Sequence, residues 1–83
     1  MNEWHPISEP PNADGEYLCQ ELICGRKIMN VFSYSTDLYK IDEDYFCDYK
    51  GIGGFYSFNK NYGYFREHYI QAWMKLPPEY NGG

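Results

Sequence analysis

Glycine and proline interrupt this chain at the places where a long helix would have to continue. Pro6, Pro10 and Pro11 crowd its beginning, Gly15, Gly25, Gly51, Gly53, Gly54 and Gly63 break its middle, and Pro77-Pro78 stop its last patterned stretch. Proline fixes φ and lacks a backbone donor, while glycine gives up helix stability for conformational freedom. Between these breaks the sequence is rich in Tyr, which together with the scattered β-branched residues fits a pleated surface better than a helix bundle. The expectation is an α+β or mainly β domain: a small antiparallel sheet of four to five strands with at most one short helix, near residues 36–48 or 60–68.

Local patterning places the elements. Residues 1–15 read as an extended Pro-rich arm ending in a turn at Asn12-Ala13-Asp14-Gly15. Glu16 to Ile23 and Lys27 to Tyr34 read as a β-hairpin turning at Gly25-Arg26. Gly51-Ile52-Gly53-Gly54 reads as loop, Phe55 to Phe58 as a strand, Asn59 to Gly63 as a turn, and Tyr69 to Leu76 as a closing strand. Residues 79–83 are expected to form a flexible tail. Eighty-three residues make one domain, 1–83, near the size at which ordering entropy almost cancels apolar burial. Aliphatic side chains are scarce and aromatics supply 20% of the chain, ten of them Tyr, so rings must build much of the core. Trp4 and Trp73 are expected to be buried neighbours that pack the arm across the closing strand; the alternative is that one of them anchors a partner.

Both ends also carry a likeness to a known family. Trp4-His5-Pro6-Ile7-Ser8-Glu9-Pro10-Pro11, then Asp14-Gly15-Glu16-Tyr17-Leu18, and finally Ile70-Gln71-Ala72-Trp73-Met74-Lys75-Leu76-Pro77 resemble the small phage and prophage family called domain of unknown function 551. That family opens with a Trp-x-Pro-like arm and closes on a strand ending Thr-x-Trp-Met-x-Leu-Pro. The middle of the chain does not share the pattern, and Gln71-Ala72 stands where the family has Thr and a polar residue. The resemblance implies a phage setting and assigns no activity.

The motifs that suggest chemistry fail on spacing. Cys19, Cys24 and Cys47, with His5 and His68, supply ligand types for zinc, but not the compact pairs two to four residues apart that structural zinc uses. An odd number of cysteines also does not suit a disulfide framework, so buried reduced thiols are expected. Cys47 lies between Asp44 and Asp48, which oppose the thiolate a nucleophile requires. Gly51-Ile52-Gly53-Gly54 lacks the Lys-Ser/Thr and the helix of a phosphate loop. A protein without enzyme activity, cofactor or metal is the reading.

Charge is more informative. The chain carries -5 overall, with ten acids against three bases in residues 1–48 and four bases against one acid in residues 49–75. Such a balance disfavours broad nucleic-acid or anionic-membrane binding, and no apolar run approaches the ~18 residues of a membrane span. A host protein with a basic surface is the expected partner, in the cytoplasm of the host cell. Asp37, Asp42, Glu43, Asp44 and Asp48, beside Tyr39, Tyr45 and Tyr49, are the candidate partner-binding residues, combining charge for steering with rings for short-range contact. Such a surface suits an acidic inhibitor of a host nucleic-acid-handling or defence protein, of the CRISPR or restriction type. The alternatives are a single-strand-binding module using residues 49–75, whose bases and rings are interleaved, and a self-associating phage accessory protein, in which a homodimer joins the oppositely charged segments.

Overall fold

In a computed structural model, residues 3–77 are described, and the expected tail at 79–83 lies outside them. Six strands form one antiparallel sheet: β1 (His5–Pro6), β2 (Gly15–Ile23), β3 (Arg26–Ser35), β4 (Gly54–Asn59), β5 (Gly63–Arg66) and β6 (Ile70–Lys75). Their order across the sheet is β1-β6-β2-β3-β4-β5. The mainly β expectation holds, but six strands replace the expected four to five. The arm contributes β1, with His5 opposite Trp73 and Pro6 opposite Ala72. Gly63–Arg66, inside the segment read as turn or short helix, folds back on β4 as β5. Among the described residues the helical content is one 3-10 turn, Leu38–Lys40.

The β2–β3 hairpin is the longest unit, and its turn is Cys24-Gly25 rather than Gly25-Arg26, with Ile23 opposite Arg26. Both turn residues have positive φ, 51° and 78°. That is the backbone a two-residue hairpin turn demands, and it places a cysteine in a region side chains other than those of Asn and Asp rarely occupy.

Alternation along the strands gives the sheet two faces. One carries Tyr17, Cys19, Tyr34, Phe55, Ile70 and Trp73, all buried in a single cluster, with Phe32 packed against it. Ile70 reaches this face only because the β2–β6 register slips between Gln20 and Glu21, which pairs Glu21 with Ile70 after Gln20 has paired with Ala72. The N-terminal arm crosses over this cluster. The Trp73 indole N–H donates to the Glu9 carbonyl (2.9 Å) and the Tyr17 hydroxyl to the Ala13 carbonyl (2.8 Å). Trp73 is thus buried as expected, but its neighbour in the arm is His5, stacked at 4.5 Å. Trp4 remains 41% exposed, because β1 pairing turns adjacent side chains to opposite sides.

On the second face, the segment between β3 and β4 folds back over β4 and β5. Leu38 and Phe46, both fully buried, are its anchors. Phe46 lies against Tyr56 and Tyr64, with ring centroids 6.4 and 5.9 Å away. Gly54 lets this segment come close to the strand, since a Cβ there would stand 3.1 Å from the Leu38 side chain, which would have to shift by a few tenths of an ångström.

Of the three thiols, Cys19 is buried, whereas Cys24 and Cys47 are exposed, one on the hairpin turn and the other in the acidic segment. This corrects the expectation of buried cysteines throughout. Burial pushes the Cys19 thiol from its ordinary 9.0 up to about 12, and burial also raises the Tyr34 and Tyr56 hydroxyls. An acid whose pKa is raised by folding stays protonated in the native state while the unfolded chain ionises. Stability should therefore be unaffected by these groups below pH 9 and fall as pH rises from about 9 towards 12, in denaturant titrations at fixed salt. In the same protein at neutral pH, a thiol reagent should label Cys24 and Cys47 at once and Cys19 only on unfolding.

Candidate functional site

The acidic segment is held at its neck before any of its carboxylates reach solvent. The Asp37 carboxylate accepts from Gly51 N–H at 2.9 Å, and Leu38 N–H donates to the Ile52 carbonyl at 3.0 Å, so the two ends of the excursion are tied together. Ser35 contributes a reciprocal pair, its hydroxyl donating to the Asp37 carbonyl (2.8 Å) and accepting from Asp37 N–H (3.1 Å). Asp14, at the end of the arm, accepts from both the backbone N–H and the hydroxyl of Thr36, at 2.7 and 2.9 Å. Those two donors hold the Asp14 carboxyl below the usual carboxylate range.

Beyond the neck the chain descends in turns. Asp42 caps the next one, its Oδ1 accepting from Asp44 N–H (3.0 Å) and Tyr45 N–H (2.9 Å). Phe46 N–H then donates to the Asp42 carbonyl and Tyr49 N–H to the Phe46 carbonyl, both at 2.9 Å. This turn faces Phe46 inward, and its neighbours outward: Glu43, Asp44, Tyr45, Cys47 and Asp48 are all exposed. Tyr45, 51% exposed, lies edge-on to Phe46 at 4.9 Å.

The eight residues expected to form a partner-binding surface therefore divide by role. Glu43, Asp44, Tyr45 and Asp48 form an exposed acidic crest. Asp37 and Asp42 are half-buried and spend a carboxylate oxygen each on backbone N–H groups. Tyr39 and Tyr49 are half-buried, with Lys50 over the first ring at 5.6 Å and Arg66 over the second at 5.0 Å. Asp42 cannot be treated as a solvated charge, because its side chain builds the turn that displays the others. Leu38 and Phe46 were legible in the sequence only as apolar residues inside an acidic run, with no signal that they, and not the charges, fix the segment.

A recess of about 320 Å³ opens between the arm and the sheet, lined by Ile7, Pro10, Phe55, Glu67 and His68 among others. The Glu67 carboxylate there accepts from the Ser57 hydroxyl. Among the described residues, no three His, Cys, Asp or Glu side chains group closely enough to hold a metal ion, and no helix is long and apolar enough to cross a membrane. In residues 49–75 the rings separate: Phe55 enters the core, Tyr56 and Tyr64 support Phe46, and Phe58, Tyr62, Phe65 and Tyr69 are exposed.

No family model, curated protein or solved structure matches this chain. The likeness of its two ends to the phage family rests on those residues alone.

Because Phe46 is the inner support of the crest, Phe46→Ala should destabilise the protein by about 3–5 kcal/mol. Glu43→Ala, on the exposed side of the same turn, should change stability by less than about 0.5 kcal/mol. Urea unfolding of the two variants checks the contrast, and equal losses would remove the division between anchor and crest.

Proposed function

We propose that this chain is a non-enzymatic binding protein that presents the crest Glu43, Asp44, Tyr45 and Asp48 to a basic groove on another protein. The observation that carries the reading is the pairing of fully buried Leu38 and Phe46 with exposed carboxylates on the same short segment. A rigid display costs less ordering entropy on binding than a mobile acidic loop, and clustered negative charge steers a basic partner into contact. Grooves that bind nucleic-acid phosphates are lined by bases, so a nucleic-acid-handling protein is the class of partner such a crest suits. The phage-like ends favour a host defence nuclease, of the restriction or CRISPR type, and inhibition by occupying its groove.

The test uses the folded protein as bait. Capture from a host lysate, with mass spectrometry, should recover a basic or nucleic-acid-binding protein. The triple variant Glu43→Lys, Asp44→Lys, Asp48→Lys should keep the native fold and bind that protein at least about tenfold more weakly, mainly through slower association. Asp42 is left intact because it caps the turn. Unchanged affinity in a folded triple variant sinks the proposed surface.

A second reading has one observation in its favour. At the β4–β5 turn Phe58 and Tyr62, 61% and 78% exposed, flank exposed Lys60, an arrangement that suits stacking of single-stranded bases. It predicts weak binding to an unstructured oligonucleotide at low salt, reduced by Lys60→Ala and abolished as salt rises. A flat low-salt titration ends this alternative.

A further inference from the structure

The β2–β3 hairpin extends well beyond the strands that flank it on the β3 side. β3 pairs with β2 along its length, but with β4 only through Ser33, Tyr34 and Ser35. Its free part, Arg26 to Val31, is exposed at every position, including Ile28, Met29 and Val31 at 38%, 60% and 49%. The direction of its backbone groups follows from the turn. Ile23 and Arg26 flank a two-residue connection and so form its hydrogen-bonded closing pair. Hydrogen-bonded and non-hydrogen-bonded pairs alternate from there, which points the N–H and C=O of Arg26, Ile28, Asn30 and Phe32 at β2, and those of Lys27, Met29 and Val31 away from it. β4 takes up the next outward residue, Ser33, opposite Tyr56, and goes no further. A long, exposed edge with open backbone groups is what natural sheets ordinarily blunt or cover, and here Lys27 is the one charged residue among the three whose backbone points outward.

We propose that this edge pairs with the same edge of a second copy of the chain, antiparallel, about a two-fold axis through Met29. Only an extended strand satisfies such a row of donors and acceptors, and this segment is complementary to itself. With the axis at Met29, Met29 meets its own counterpart, Lys27 meets Val31, Arg26 meets Phe32 and Ile28 meets Asn30. Outward-pointing residues then face outward-pointing residues, and about six backbone hydrogen bonds close. The two Lys27 side chains stand about 14 Å apart by strand spacing, beyond the ~8 Å screening length at physiological salt. A parallel alignment would set them side by side. Charge permits the same occupant: at this register Arg26 and Lys27 of each copy face Phe32 and Val31 of the other, and Glu21, buried and bonded to Asn30, brings no exposed carboxylate to the junction. Pairing also continues the apolar stripe of Leu18, Met29, Val31 and Met74 across the junction, on the part of the second face that the acidic segment leaves bare.

The pairing uses none of residues 37–49, so it stands or falls separately from the crest. Sedimentation over a dilution series, with NMR amide exchange on the same samples, tests it. The expected result is a concentration-dependent dimer in which the Lys27, Met29 and Val31 amides gain at least tenfold protection, while Ile28, Asn30 and Phe32 are protected in monomer and dimer alike. Met29→Pro deletes an outward N–H without touching the β2 ladder and should leave a folded monomer. Val31→Lys, which keeps the backbone but brings a charge opposite Lys27 of the second copy, should weaken association at least tenfold and serves if the proline variant does not fold. A wild-type chain monomeric up to about 1 mM, where self-association supplies only ~4 kcal/mol, overturns the proposal. So does a dimer in which the three outward amides stay unprotected, or one that both variants leave unchanged.

Discussion

The Trp73 indole is the contact on which this fold depends. Its faces and edge meet His5 at 4.5 Å and Tyr17 at 5.0 Å, and its N–H is bonded to the Glu9 carbonyl. Through that one side chain the arm, β6 and β2 are fixed to one another, although they come from opposite ends of the chain. Ile7 N–H extends the same joint, donating to the Gln71 carbonyl at 2.8 Å. A core with few aliphatic residues relies on such rings, because each covers a large apolar area and can still satisfy a polar edge. Tyr17, Tyr34 and Phe55 then pack edge-to-face beneath the arm, with centroids 4.8 to 6.5 Å apart.

The second face is built on a different rule. There the cover comes from the segment between β3 and β4, and only over β4 and β5, where Leu38 and Phe46 insert. Anchoring and display are divided along one short segment: Leu38 and Phe46 go in, Glu43, Asp44 and Asp48 go out, and Asp37 and Asp42 hold the backbone between them. The division explains how a run with five acids can be ordered without ion pairs among its own members. Hydrogen bonds from backbone N–H groups satisfy two of the five, and the other three remain in water, where like charges repel weakly.

Much of this architecture was legible in the sequence. The hairpin strands, the Phe55–Phe58 strand and the closing strand are apolar and aromatic stretches with a Gly or Pro beside at least one end, and each appears within a residue or two of its expected place. The misses have local causes. Gly63-Tyr64-Phe65-Arg66 is too short for alternation to be recognised, and its pairing with β4 is a tertiary fact. Choosing between Trp4 and His5 as the partner of Trp73 requires the β1 register, since adjacent residues differ only in which side they face. The hairpin turn was misplaced by one residue because Cys24 has no intrinsic preference for positive φ, and the tight pairing of Ile23 with Arg26 imposes it. In the acidic segment the sequence displayed the charges but not the roles, because a carboxylate that caps a turn and one that faces solvent have the same letter.

The strand order has a consequence for how the chain acquires its structure during synthesis. β6, made later than the other five strands, lies between β1 and β2 and not at an edge of the sheet. The β2–β3 and β4–β5 hairpins join neighbours in sequence and can form as soon as they leave the ribosome. The arm cannot find its place until residues 70–75 emerge, since its strand partner, stacking partner and indole donor all reside there. Until that moment Tyr17, Cys19 and the rings around them have no roof, and the nascent chain carries an open aromatic surface that residues 70–75 must close.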